Sequence, residues 1–153
     1  MTTEADRQAV ADVLRQFAMA MQDKDAAAID ALHDPDAQIF DLAPPLGKGF
    51  AAPPLIEWLE SWEKPVTETW AEQEIEVSGD LAICHGYVRT ETARGGEEVS
   101  WWMRRTVGLR RVAGRWRIVH DHASVPFYMD GSDKAALDLM PPRGETGQLT
   151  AGP

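Results

Sequence analysis

Several side chains in this 153-residue chain have the types and spacing for chemistry. Asp41 follows Phe40 and precedes the apolar run Leu42-Ala43-Pro44-Pro45-Leu46. Apolar surroundings disfavour the charged form of a carboxylate, so a residue placed this way has a raised pKa and can shuttle protons near neutrality. A helix cap or a buried partner for an arginine would use the same residue without catalysis. His85 lies in Ile83-Cys84-His85-Gly86-Tyr87, where alternation puts it on one face with Tyr87 and Arg89. An imidazole beside a tyrosine hydroxyl suits acid, base or ligand-anchoring work, and equally a hydrogen-bonded core group. The missing side chain of Gly86 marks a bend or the close approach of another group. In His120-Asp121-His122, alternation places both imidazoles on one face and Asp121 on the other. Such a pair can share a metal, but a catalytic metal site needs a third ligand and an open position. His85 or Asp41 would have to supply it. No stronger ligand motif exists in the chain, so neither a metal nor a cofactor is expected.

Arginines crowd one stretch: Arg104, Arg105, Arg110, Arg111, Arg115 and Arg117. Cross-strand ion pairs with Glu72, Glu74 and Glu76 on a wet face account for most of them. Arg104 shares strand parity with Trp102 and Thr106. If that face is buried, its guanidinium needs Asp41, Asp121 or a substrate carboxylate as partner. Six tryptophans, among them Trp58, Trp62, Trp101 and Trp102, are many for this length. Core packing explains most, and a cavity lined by some would favour a flat apolar ligand. There is no nucleophile elbow, phosphate loop or dinucleotide fingerprint.

The elements that must position these groups are legible from periodicity. Thr3-Glu4-Ala5-Asp6 has the form of a capping box, and Val10, Val13, Leu14, Phe17 and Met21 follow at helical spacing. Asp25 caps a second short helix carrying Ile29 and Leu32, stopped by Pro35. A brief strand from Ala37 to Asp41 leads to a Pro/Gly-rich loop, and Pro53-Pro54 opens a third helix with Leu55, Leu59 and Trp62 on one face. From Thr69 to Val77 the period is two, with Ala71, Gln73 and Ile75 on one side and Trp70, Glu72, Glu74 and Glu76 on the other. Turns at Ser78-Gly79-Asp80, Arg94-Gly95-Gly96 and Ala113-Gly114 separate strands over 81–92, 98–112 and 115–125. One helical turn is expected within 131–140. Residues 131–153 read as a C-terminal extension, partly disordered, beyond a single domain over 1–130.

Helices followed by a meander of long strands make an α+β layout whose curled sheet closes around the helices and leaves a concave mouth. Hydrophobic residues make up 44% and charged residues 26%, as in globular proteins. One cysteine rules out an intramolecular disulfide framework, and the acidic N-terminus is unlike a signal peptide. The expected location is cytoplasmic. A net charge of −10 disfavours nucleic acid and anionic membranes as partners.

Three segments carry a family resemblance: Asp34-Pro35-Asp36-Ala37 running into Ile39-Phe40-Asp41, then Gly79-Asp80-Leu81-Ala82, then Gly114-Arg115-Trp116-Arg117-Ile118-Val119-His120. Over about residues 6 to 127 the chain resembles the SnoaL-like, ketosteroid-isomerase-like branch of the nuclear transport factor 2 (NTF2-like) superfamily. The resemblance implies a cone of three N-terminal helices packed in a strongly curved antiparallel sheet. It aligns Asp41 with the aspartate base of ketosteroid isomerases, a system that also serves as a standard illustration of pKa tuning. It turns the faces of His85, Tyr87, Trp102, Arg104 and Thr106 toward the cavity. The isomerase's oxyanion-hole tyrosine and acid fall on Phe17 and Thr106, which donate no hydrogen bond and a weak one, so steroid isomerisation itself is not expected. The expected function is binding of a small apolar or aromatic carbonyl compound. Asp41 or His85 would remove a proton next to the carbonyl, in a cofactor-free isomerase, cyclase or dehydratase. Trp58, Trp62, Tyr87, Trp102, Arg104, Thr106, Asp121 and His122 would contact the ligand. A non-catalytic binding or dimerisation module is the alternative, and a homodimer through the outer sheet face is implied by the relatives.

Overall fold

A computed structural model describes residues 3–143. The first helix, α1 (Glu4–Asp23), begins with the expected capping box: the Thr3 side chain accepts from the Asp6 amide, and the Asp6 side chain accepts from the Thr3 amide. It ends at Lys24, whose φ of 55° is left-handed. Its apolar stripe, Val10, Val13, Leu14, Phe17, Ala20 and Met21, is buried. Asp25 caps α2 (Ala26–Leu32) through the Ala28 amide at 3.0 Å. That helix stops at Leu32 and not at Pro35, because proline disfavours helical geometry for the residue before it. His33 is already extended, and β1 (His33–Phe40) starts there, four residues earlier than periodicity suggested. After β2 (Lys48–Gly49), α3 (Ala52–Glu60) has no side-chain cap and opens on prolines in its first turn.

The strands β3 (Thr67–Ser78), β4 (Leu81–Arg94), β5 (Glu97–Val112) and β6 (Arg115–Ser124) form the meander. The six-stranded sheet has the order β2-β1-β6-β5-β4-β3. Its pairings are antiparallel except β1 with β6, which is parallel, so the sheet is mixed rather than purely antiparallel. The architecture is α+β, three helices against one curved open sheet, as the sequence led us to expect.

Two bulges decide which side chains face inward. In β3 the register shifts between Ala71 and Glu74, with Glu72 at a φ of 51°. The extra residue lies opposite Gly86, where an added Cβ would meet the Ala71 and Glu72 carbonyl oxygens at 3.0 Å, the close approach that a glycine in this strand foreshadowed. The bulge also reverses the alternation, so Trp70 does not share a face with Glu74 and Glu76 as simple period two requires. A second shift lies between Gly108 and Leu109, opposite Val119, and leaves Ile118 and Asp121 both buried.

Buried residues form two clusters. One joins Val10, Val13 and Leu14 of α1 to Val77, Cys84, Val107, Leu109, Trp116 and Ile118 of the sheet. The other joins Phe17, Ala20 and Met21 to Ile29, Leu59, Trp62 and Val66. Residues 126–138 hold no helix. A bridge between Phe127 and Ala135 and a hydrogen bond from the Tyr128 hydroxyl to Asp138 close a loop there instead. Much of the expected C-terminal tail, residues 144–153, lies outside the described residues. Among the described residues no helix is long and apolar enough to cross a membrane.

Candidate functional site

A cavity of about 300 Å³ opens between α1, α3, the β1–β2 hairpin and the inner faces of β3 to β6. Its walls are mostly apolar: Phe17, Met21, Phe50, Leu55, Trp58, Trp101 and Met103. This is the small end of the range for ligand pockets. Polar groups are few and lie deep, namely His33, Glu68, Thr90, Arg105 and Asp121, while Asp41 and Lys48 stand at the exposed rim.

Arg105 organises the deep end. Its Nε and Nη2 donate to the two Asp121 oxygens at 3.0 and 2.6 Å, and its Nη1 donates to Glu68 at 2.8 Å. The guanidinium also lies over the Phe17 ring, 4.9 Å from the centroid. All three side chains are nearly inaccessible, at 4% for Arg105, 10% for Asp121 and 7% for Glu68, so each charge depends on the others. Burial opposes the charge on Arg105, but the two carboxylates outweigh it and hold its pKa above the ordinary guanidinium value. Burial pushes the Glu68 carboxyl up, more than Arg105 pulls it down. Glu68 therefore holds a proton more readily than an exposed glutamate would.

His33 is the second deep group, 3% exposed. Its Nδ1 lies 2.8 Å from the Ile29 carbonyl, which only accepts, so Nδ1 carries the hydrogen and Nε2 of the neutral ring carries the lone pair. Its ring stacks on Phe50 at 3.6 Å and meets the edge of Phe17 at 5.4 Å. Burial lowers its pKa, more than the bond to Ile29 raises it. Thr90 and Trp101, opposite each other on β4 and β5, also line the cavity, and Thr90 Oγ1 and Trp101 Nε1 are buried without a partner among the described residues.

The sequence-derived candidates divide between two faces. Asp41 reaches the cavity rim, where Lys48 donates to it at 3.2 Å and its other oxygen accepts from the Leu42 amide. Trp58 lines the opening and meets Trp62 edge-on at 5.9 Å. Trp62 itself packs in the core behind it. Asp121 faces inward as a cavity residue. The rest do not. On β5 the inward set is Trp101, Met103, Arg105, Val107 and Leu109, so Trp102, Arg104 and Thr106 face the other way. On β4 the inward set is Cys84, Val88 and Thr90, which puts His85 and Tyr87 on the outer face. The His85 side chain is 51% exposed beside Glu74. His122 is on the outer face as well, exposed and paired with Phe40 and Thr106.

The residue that needs a buried partner is therefore Arg105, one position along from Arg104, and the partner is Asp121. A signal for it existed: Val99, Trp101, Met103, Val107 and Leu109 form the apolar register of β5, and Arg105 is the one charge inside it. Glu68 likewise shares parity with Val66 and Trp70. Nothing in the sequence marks His33 beyond its place just before Asp34-Pro35-Asp36-Ala37.

A family model described as the SnoaL-like domain matches residues 10–128. An NTF2-like protein of unknown function from Pseudomonas putida KT2440 is 28% identical, with 92% of this chain and 100% of that chain covered at a TM-score of 0.79. A Streptomyces avermitilis protein of the NTF2-like family, provisionally named a dehydratase, superposes at a TM-score of 0.70 with 16% identity, over 80% of this chain and 97% of that one. A Shewanella frigidimarina NCIMB 400 protein, provisionally named a ketosteroid isomerase, superposes at 0.62 with 23% identity, over 76% and 94%. At these identities the last two show the fold alone. A search of curated proteins found no match.

Proposed function

We propose, from the premise that this chain belongs to the SnoaL-like domain family of the NTF2-like superfamily, that it binds a small, largely apolar carbonyl compound and moves a proton on it without a cofactor. The observation that carries this reading is Arg105 held between Asp121 and Glu68, whose carboxyl is pushed by burial toward its neutral form, in the wall of an apolar cavity that His33 also lines. Groups whose pKa values are pushed by burial, gathered in one concave site, are the physical mark of acid–base chemistry.

The roles follow from the lone pair and the donors that these groups present to the cavity. His33 Nε2, a lone pair on an imidazole kept neutral, removes a proton next to the carbonyl. Charge then builds on the carbonyl oxygen. Three of the five donors of Arg105 are engaged, which leaves two N–H groups to stabilise that charge. Returning the proton to a different carbon is isomerisation. Donation of the Glu68 proton to a departing hydroxyl, with loss of water, is dehydration. Asp121 orients Arg105, and Lys48 with Asp41 meets whatever part of the ligand reaches the rim. His85 faces away from the cavity and has no part in this scheme.

The test is exchange of carbon-bound hydrogen for deuterium, followed by NMR, on a panel of small cyclic and aromatic ketones. The native protein is expected to accelerate exchange for at least one of them. His33→Gln is expected to remove about 10²-fold or more of that acceleration, the usual scale of general base catalysis. Background exchange across the whole panel, with ketones bound all the same, would replace this reading by the non-catalytic module. That second reading has its own support in the engagement of Arg105 by two of the chain's own carboxylates.

A further inference from the structure

We infer that His120 and His122 form a chelating site for a late first-row divalent cation, Cu²⁺ most tightly, on the outer face of the sheet beside the cavity mouth. Both imidazoles project from β6 on the side opposite Asp121, and their ring centroids are 6.2 Å apart. His120 is half-buried and His122 exposed.

Tautomer and orientation are set in advance. The His120 Nδ1 lies 2.8 Å from the Gln38 carbonyl across the β1–β6 pairing. A carbonyl only accepts, so Nδ1 carries the hydrogen and Nε2 keeps its lone pair. A ring nitrogen bonded to a backbone carbonyl is the usual outer-shell support of a metal-bound histidine. The Phe40 ring stands edge-on to both imidazoles, at 4.8 Å from His120 and 5.4 Å from His122, and limits how far either can swing. No hydrogen bond from His122 to another described residue competes for its nitrogens. Neutral imidazoles suit Cu²⁺, Ni²⁺ and Zn²⁺, and the divalent series peaks at Cu²⁺. The net charge of −10 concentrates cations at the surface. Among the described residues no third His, Cys, Asp or Glu completes a larger cluster, so water takes the other positions. An open two-nitrogen site of this kind is an accessory centre, separate from the deep acid–base groups. Phe40 connects the two, because it also lines the cavity.

The experiment is titration of the full-length protein with Cu²⁺ alone, read by calorimetry and by electron paramagnetic resonance. One ion per chain is expected, with hyperfine coupling from two imidazole nitrogens. His120→Ala and His122→Ala are each expected to weaken binding by more than the about 10- to 100-fold that loss of an outer-shell partner costs. His85→Ala, on the same face, is expected to leave it unchanged. Both ligand positions lie at the surface, and matching circular dichroism spectra will show that the variants fold. The inference fails if the spectrum reports a single nitrogen, if either ligand variant binds like the native protein, or if His85→Ala weakens binding equally.

Discussion

At the scale of single residues, the deep polar groups tie stability to pH in opposite senses. Burial lowers the pKa of His33, so below its ordinary 6.5 the unfolded chain binds a proton that the folded protein refuses. That group's contribution is present above 6.5 and is lost as the pH falls below it. Burial raises the pKa of Glu68, so the folded protein binds a proton that the unfolded chain has released above its ordinary 4.5. Its contribution therefore shrinks as the pH rises from 4.5 through the folded value. Urea midpoints measured from below pH 4.5 to above pH 6.5 should show the loss on falling pH reduced in His33→Gln and the loss on rising pH reduced in Glu68→Gln. Parallel curves for native protein and both variants would mean that neither group titrates differently on folding. The residue reading of the sequence was sound in principle and displaced in place. It required a partner for a buried guanidinium and named Asp121 among the choices, but placed the guanidinium at Arg104.

At the scale of elements, the two bulges carry the consequences. The β3 bulge exists with Gly86 opposite it, because any side chain there would press on the Ala71 and Glu72 carbonyl oxygens. Backbone oxygens cannot rotate away as a side chain can. Gly86→Ala is expected to cost about 1–3 kcal/mol of stability, in the range of overpacking, measured by denaturant unfolding. An unchanged midpoint would show that the bulge relaxes freely. Loss of the bulge would also turn Glu68 away from the cavity and Trp70 away from the core, or Ile75 and Val77 away from the core, since one residue of slip exchanges the faces of a strand. The starts of the first two helices, by contrast, were legible from the sequence, although α2 ends before Pro35 and α3 ends before Trp62. The Thr3–Asp6 capping box, the Asp25 cap and the α1 stripe are local interactions between residues three or four apart, and local sequence determines them.

At the scale of the whole molecule, the curved sheet has an inner face that holds the cavity and an outer face that carries His85, Tyr87, Trp102, Arg104 and His122. Ile83 and Leu81 on that outer face are 46% and 54% exposed. We propose that two copies pair through this face, as the family resemblance implies, with Leu81 and Ile83 in the contact. Sedimentation equilibrium is expected to give twice the 16.9 kDa chain mass, and Ile83→Lys is expected to shift the population toward single chains. A single-chain mass for the native protein at all concentrations would remove this assembly.

Periodicity, caps and turn residues by themselves determined three helices and a long-stranded meander, because those signals act over a few neighbouring residues, and the NTF2-like cone was implied by the family resemblance. Residue chemistry and the family resemblance pointed to Asp41 and Trp58, and both line the cavity. On β5 the apolar register from Val99 to Leu109 already marked the inward face, but on β3 and β6 tertiary structure decided it. Each bulge inserts one residue, a one-residue phase change exchanges inside for outside, and no local pattern records it. The same phase brings Arg105, Asp121 and Glu68 together from three strands, and the α2–β1 junction adds His33. These contacts join residues far apart in the chain, so they form only when the sheet closes.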